Sequence, residues 1–76
     1  MKSLRSRGHR VLCAVLAEAR SEAGLTQRDL AARLKRPHSY VAKIESGERR
    51  VDVLEFIEMA RAMRVDPVKL FERVLA

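Results

Sequence analysis

The chain has 76 residues, which is enough for one domain. Lys and Arg number 16 against 10 Asp and Glu, giving a formal net charge of +6, and hydrophobic residues make up 47% of the sequence. The apolar runs are only a few residues long, which excludes a membrane-spanning segment. The single cysteine, Cys13, excludes an internal disulfide and favours a reducing cytoplasm.

Residues 1–8 predict a basic N-terminal arm, and residues 9–76 predict the folded domain. The arm lacks the apolar core of a signal peptide. Its basic side chains predict either a solvated tail or a segment that contacts phosphates or a minor groove. A first helix is expected from about His9 to Ala23, followed by Gly24 as a left-handed cap. Its predicted inner stripe consists of Leu12, Val15, Leu16, Ala19 and Ala23.

Two short helices are predicted next, separated by a tight turn. Thr26 and Asp29 have the spacing of a capping box, which starts the second helix. Pro37 ends the turn and is expected as the first residue of a third helix that runs to about Ser46. The predicted inward residues of the pair are Leu30, Ala31, Leu34, Val41 and Ile44.

The remaining residues predict two further helices. Asp52 and Glu55 repeat the capping spacing at the start of a fourth helix, and Asp66-Pro67 has the pattern of a fifth helix start. The predicted inner residues are Val53, Phe56, Ile57, Ala60 and Met63 in the fourth helix, and Leu70, Phe71 and Val74 in the fifth. No strand-like alternation is present, so the expected fold class is all-α, with five short helices.

The second and third helices carry the clearest functional pattern. Ala31 is small enough to let the two helices approach closely, which fixes the third helix as a protruding rod. Polar side chains then lie together on its outer face, at His38, Ser39 and Lys43. A helix with such a face can enter a DNA major groove about 12 Å wide.

The charge distribution agrees with a polyanionic partner. Residues 1–50 carry 12 basic and 5 acidic side chains, a net charge of +7, whereas residues 51–76 carry 4 basic and 5 acidic side chains. A basic region beside a nearly neutral remainder is typical of nucleic-acid binding. RNA is disfavoured because the chain has three aromatic residues, and two of these are expected in the core, which leaves no stacking platform.

Residues 12–75 resemble the lambda-repressor-like helix-turn-helix family, of the Cro/CI or XRE type. The matching residues are Gly24-Leu25-Thr26-Gln27, Leu30-Ala31, Val41, Ile44-Glu45-Ser46-Gly47, Arg49 and Val65-Asp66. The resemblance implies a compact five-helix domain with helices two and three as the helix-turn-helix. It also implies a transcriptional regulator, chiefly a repressor, that binds double-stranded DNA as a homodimer on a palindromic operator in a prokaryotic cell or phage.

The resemblance also assigns roles to individual residues. His38, Ser39 and Lys43 match base-contacting positions, and Arg20 and Glu45 match an internal salt bridge. The positions that match contacts to the sugar-phosphate backbone are Gln27, Arg28, Tyr40, Ser46, Arg49 and Arg50. The sequence departs from the family at the turn, where Lys35 replaces the usual Gly. Either Lys35 adopts a positive φ at a cost of about 1 kcal/mol, or the turn has a different shape.

Catalytic and cofactor chemistry find no support in the sequence. No nucleophile set, paired-carboxylate cleft, phosphate loop or small-molecule site is evident, and His9 and His38 lack the partners of a zinc site. The chain is therefore expected to be neither an enzyme nor a metalloprotein.

Three apolar residues are not needed for the predicted inner stripes of the helices: Leu54, Met59 and Leu75. They predict either a dimer patch or a further part of the core. A protein-interaction or antitoxin-like module of the same fold is the alternative function.

Overall fold

Five α-helices follow one another along the chain, as the apolar periodicity predicts. The computed structural model describes residues 6–76 and contains no strand within them. The helices are α1 (Arg7–Glu22), α2 (Gln27–Leu34), α3 (His38–Glu45), α4 (Val53–Ala62) and α5 (Pro67–Leu75). Among these residues, no helix is both long enough and apolar enough to cross a bilayer.

Side-chain caps start the helices at the positions predicted for α2, α4 and α5. Thr26 and Asp29 form a reciprocal capping box, and Asp52 and Glu55 form a second one. The Asp66 carboxylate accepts a hydrogen bond of 2.9 Å from the backbone N–H of Val68. These caps satisfy N–H groups that have no partner within their own helix, so local sequence defines these starts.

The first helix begins two residues before its predicted start at about His9. α1 begins at Arg7, and Gly8 lies in its first turn. The reason is Ser6, whose hydroxyl accepts a hydrogen bond of 3.1 Å from the backbone N–H of His9. Residues 1–5 of the predicted arm lie outside the described residues. Pro37 also differs from its predicted place, because its ψ of 155° makes it the cap before α3.

The core lies where α1, α2, α3 and α4 converge, with α5 closing one side. Leu16, Leu30, Val41, Ile44 and Leu70 are fully buried. Ala31 is also fully buried, in agreement with its predicted place between α2 and α3. Since α2 and α3 bury their apolar faces against this core, their other faces point outward.

Three predicted burial states are wrong, at Ala23, Val53 and Phe71, and one open alternative is decided, at Met59. Met59, assigned to a dimer patch or core, is fully buried and therefore belongs to the core. Ala23 is exposed because α1 ends at Glu22. Val53 is 74% exposed because it occupies the first turn of α4, before that helix meets the core. Phe71 is 51% exposed because Leu70 takes the inward position of α5, leaving Phe71 at the rim, edge-on to Phe56 with 6.0 Å between ring centroids.

An apolar surface remains on α4 and α5. Val68, Phe71 and Leu75 share one face of α5 at helical spacing. Phe71 and Val53 line the same groove, of about 410 Å³, between α1, α4 and α5. We call the exposed apolar side chains of these two helices the α4–α5 apolar surface; they are Val53, Leu54, Val68, Phe71 and Leu75.

Candidate nucleic-acid interface

α2 and α3 form a helix-turn-helix with a three-residue turn. The turn consists of Lys35, Arg36 and Pro37. Lys35 adopts φ 56° and ψ 45°, the left-handed conformation that the family pattern requires at this position. Its backbone N–H donates to the carbonyl of Ala32, and the N–H of Arg36 donates to the carbonyl of Ala31. These hydrogen bonds terminate α2. The left-handed conformation of Lys35 costs about 1 kcal/mol of conformational free energy, whereas glycine would adopt it without strain.

The outer face of α3 presents the three predicted base-contacting side chains together. His38, Ser39 and Lys43 are exposed, whereas Val41 and Ile44 on the opposite face are fully buried. The described residues provide none of the three with an ion-pair partner. An imidazole, a hydroxyl and an ammonium group on one rigid face supply both donors and acceptors to an approaching surface.

A polar network holds the C-terminal end of α3 against α1 and α2. Arg20 donates to both carboxylate oxygens of Glu45, with Nε–Oε2 at 2.6 Å and Nη2–Oε1 at 3.1 Å. The predicted internal salt bridge is therefore present. The hydrogen bond to Glu45 raises the pKa of Arg20. Arg20 also donates to the carbonyl of Leu25 at 2.7 Å, which links the bridge to the loop before α2.

Gln27 joins this network from the first position of α2. Its Nε2 donates to Glu45 Oε1 at 2.8 Å, so the side chain ties α2 to α3. Arg28, the next residue, is exposed on the outside of α2. The two adjacent residues therefore differ. The Gln27 side chain stabilises the position of α3 through its hydrogen bond to Glu45, while the charged Arg28 side chain extends into solvent.

A second network lies at the other side of α3, around Tyr40. The Tyr40 side chain is buried, and the guanidinium groups of Arg36 and Arg49 lie 4.8 Å and 4.7 Å from its ring centroid. Arg49 donates to both carboxylate oxygens of Glu55, at 3.0 Å and 2.9 Å. These bonds, and that from the Asp52 N–H, lower the pKa of Glu55 to about 2.

The loop between α3 and α4 is shaped by this second network. Arg49 Nη1 donates to the carbonyl of Arg50 at 2.8 Å, while the Arg50 side chain is exposed. Ser46 caps α3, and its hydroxyl lies 2.9 Å from Glu48 Oε2. Arg49 is thus engaged within the chain, and Arg50 points its charge outward from a loop that Arg49 holds in place.

Two participants in these networks do not follow from the sequence. Glu55 is predicted only as a capping residue, although it is also the partner of Arg49. Arg36 has no predicted role, although it packs on Tyr40. The spacing of six residues between Arg49 and Glu55 crosses a loop and a helix start, so no helical periodicity predicts their contact. No group of three or more His, Cys, Asp or Glu side chains within the described part of the chain could hold a metal ion.

Comparison with known proteins agrees with this architecture. The helix-turn-helix family matches residues 16–70, which include α2 and α3. The XRE-family like protein from Pseudomonas syringae pv. tomato str. DC3000 superposes with a TM-score of 0.87 at 44% identity, over 97% of this chain and 90% of that one. The wild-type Restriction-Modification Controller Protein C.Esp1396I superposes with a TM-score of 0.84 at 26% identity, over 92% of this chain and 90% of that one.

No protein of curated function matches the chain by sequence. The family match nevertheless covers more than half of the chain and includes every residue of the two networks around α3. The chain therefore belongs to the XRE type of the helix-turn-helix family of DNA-binding proteins.

Proposed function

We propose that this protein is a sequence-specific transcriptional regulator that places α3 in the major groove of double-stranded DNA. The main support for the proposal is that α3 has one buried apolar face and one exposed polar face. Its inner side chains Val41 and Ile44 are fully buried, while His38, Ser39 and Lys43 stand in solvent on a helix braced at both ends. Lys43 donates to guanine O6 or N7, and His38 and Ser39 donate or accept at neighbouring base edges.

The proposed contacts to the sugar-phosphate backbone flank α3 on both sides. Arg28 and Arg50 are exposed cations and meet phosphates directly. Gln27, Tyr40, Ser46 and Arg49 belong to the networks that fix α2 and the α3–α4 loop, and they approach the backbone from these places. Such contacts set the register of the protein on the duplex, while the α3 side chains discriminate between sequences.

The proposed regulator acts as a homodimer. A single α3 contacts only a few base pairs, whereas a two-fold dimer presents two such helices to half-sites about 34 Å apart, or a multiple of that distance. The α4–α5 apolar surface supports this assembly, because five large apolar side chains there are more than half exposed. Leu54 and Leu75 belong to the dimer contact, and Met59 does not.

Repression by occupying a palindromic operator in the cytoplasm is the proposed activity. The similarity to a Restriction-Modification Controller Protein supports a regulatory role. The proposal assigns the chain no catalytic group, cofactor, metal or small-molecule effector. A protein-interaction or antitoxin-like module is the weaker candidate, because the outer face of α3 carries polar and cationic side chains rather than the apolar groups that a protein partner would bury.

Selection from random duplex DNA tests the proposal. The full chain is incubated with a randomised duplex library, and the enriched sequences are then bound at several salt concentrations. We expect enrichment of a palindromic motif and an affinity that falls steeply with salt. No enrichment above the input library, with the folded protein present throughout, would contradict sequence-specific binding.

A further inference from the structure

A second cluster of cations lies where the C-terminal ends of α2 and α4 meet. Arg33 Nη1 donates to the carbonyl of Ala62 at 2.8 Å, which ties the two ends together. A groove of about 480 Å³ lies beside this bond, and Arg36 and Arg61 contribute to its walls. We call the exposed cations of this region the α2–α4 basic patch; they are Arg33, Lys35, Arg36, Arg61 and Arg64.

Two members of the α2–α4 basic patch occupy left-handed backbone positions. Lys35 has φ 56° and Arg64 has φ 62°, and they are the only non-glycine residues with positive φ between residues 6 and 76. Glycine adopts this conformation without a steric cost but supplies no side chain. Each of the two positions therefore carries a cation where the backbone alone favours glycine, and backbone strain of this kind is more frequent at functional sites.

The cations of the patch outnumber the carboxylates near them. Glu58 is the acidic residue that lines the groove. None of the ion pairs formed among residues 6–76 includes Lys35, Arg61 or Arg64. Asp29 also acts electrostatically on Arg33, and Glu55 acts on Arg36. Five exposed cations therefore face three carboxylates, and the remaining positive charge attracts a polyanion.

The patch is continuous with the cations around α3. Arg36 directly precedes Pro37, the cap of α3, and its guanidinium packs on the ring of Tyr40. Arg49 packs on the same ring and positions the loop that carries Arg50. A basic path therefore runs from the ends of α2 and α4, past the start of α3, to the α3–α4 loop.

We propose that the α2–α4 basic patch binds phosphates of the same DNA duplex, outside the groove that α3 occupies. This inference rests on the proposed function and extends its DNA footprint to Lys35, Arg36, Arg61 and Arg64. The continuity with Arg50 favours a DNA backbone over an acidic protein, because one duplex can follow the whole path. Contacts of this kind add affinity without adding sequence preference.

The variant Lys35→Gly/Arg64→Gly tests the inference without risking the fold. Glycine relieves both left-handed positions, so the melting temperature should not fall. We expect affinity to fall alike on the selected and on random duplexes, and the slope of log affinity against log salt to decrease by about 0.9 for each phosphate that the variant no longer neutralises. The matched control, Lys69→Gln/Arg73→Gln on α5, removes the same charge and should keep the wild-type slope.

The outcomes separate this inference from the proposed function. An unchanged salt slope in the glycine variant, while wild-type protein still selects a palindrome, overturns the patch and leaves the proposed function intact. A wild-type protein that binds no duplex overturns both. If the glycine variant keeps the wild-type salt slope but binds a polyglutamate peptide more weakly than the wild type does, the DNA assignment is overturned. The patch would then bind an acidic protein.

Discussion

The outer face of α3 carries three side chains that differ in what they can discriminate. Ser39 is short and reaches only a base directly beside the helix, whereas Lys43 extends a flexible ammonium group from the last turn of α3. His38 lies in the first turn and changes between donor and acceptor with its tautomer. The proposed base recognition therefore depends most on Lys43, since a charged donor favours the two acceptors of guanine.

Replacing Lys43 by alanine should relax the base preference. We expect a loss of about 1–3 kcal/mol in binding free energy on the preferred duplex and a smaller loss on random duplexes. Fluorescence anisotropy on both duplexes measures the two losses. Equal losses would show that Lys43 binds a phosphate instead of a base.

Arg49 and Arg50 are adjacent in the chain, but their side chains have different interactions. Arg49 is bonded to Glu55 and to the Arg50 carbonyl, whereas the Arg50 side chain is exposed. Replacing Arg50 by alanine should lower affinity evenly across sequences and reduce the salt slope by about one unit, with no change in melting temperature. Binding isotherms at several salt concentrations measure the slope. A slope equal to that of the wild type would exclude a phosphate contact by Arg50.

Among the elements, α3 depends on its ion pairs more than its length suggests. It has eight residues, too few for stability in isolation, and it is fixed by packing and by the Arg20–Glu45–Gln27 network. The side chains of Arg20 and Glu45 are 18% and 8% exposed. Removing Arg20 would therefore leave the nearly buried carboxylate of Glu45 with the hydrogen bond from Gln27 but without its ion-pair partner.

Replacing Arg20 by alanine should destabilise the fold by about 2–3 kcal/mol, which is less than the roughly 3–5 kcal/mol of a fully buried pair, since some solvent reaches Arg20. Replacing Arg73 by alanine serves as the control, because its bridges to Glu18 and Glu22 are exposed and should contribute less than about 1 kcal/mol. Urea unfolding followed by circular dichroism compares the two variants. Equal destabilisation would mean that the bridge to Glu45 contributes no more than a surface pair.

The start of α4 depends on pH through Glu55. The hydrogen bonds from Arg49 make the largest contribution to lowering the Glu55 pKa from 4.5 to about 2. Because the folded-state pKa is the lower one, the carboxylate stabilises the fold above pH 4.5, and this contribution is lost as the pH falls towards 2. Asp29, whose pKa is lowered by hydrogen bonds from Thr26, contributes in the same direction.

The variant Glu55→Gln isolates the contribution of Glu55. We expect the wild type to lose about 1–2 kcal/mol more unfolding free energy than the variant between pH 4.5 and pH 2, after allowance for the partial exposure of Arg49. Unfolding in urea at stepped pH values gives both curves. Parallel curves would show that Glu55 does not titrate with an altered pKa.

At the scale of the whole molecule, the α4–α5 apolar surface decides the proposed assembly. Replacing Leu54 and Leu75 by aspartate should convert the dimer to a monomer and weaken binding to a palindrome, while a single half-site is bound with the wild-type affinity. Sedimentation velocity and half-site titration measure these effects. Met59→Ala is the contrasting variant, because removal of a fully buried side chain should cost about 2–5 kcal/mol of stability instead. A monomeric wild type would contradict the dimer.

Local sequence determined which helices form and where most of them begin. The capping pairs Thr26/Asp29 and Asp52/Glu55 act over three residues, and the apolar spacing of Leu30, Val41 and Ile44 follows from the helical repeat itself. The outer face of α3 was therefore predictable, whereas the sequence left open whether Lys35 would take the left-handed conformation that the structure shows. These features depend on interactions between residues close together in the chain.

The tertiary structure alone decided which residues of different helices lie together, in the core or on the surface. Met59 fitted an apolar stripe in either of two roles, and only the packing of α4 placed it in the core. Arg61 lies in the nearly neutral part of the sequence, yet folding brings it to the same groove as Arg33 and Arg36. Contacts between helices depend on crossing angles and loop paths, which combine many weak interactions, so no local pattern records them.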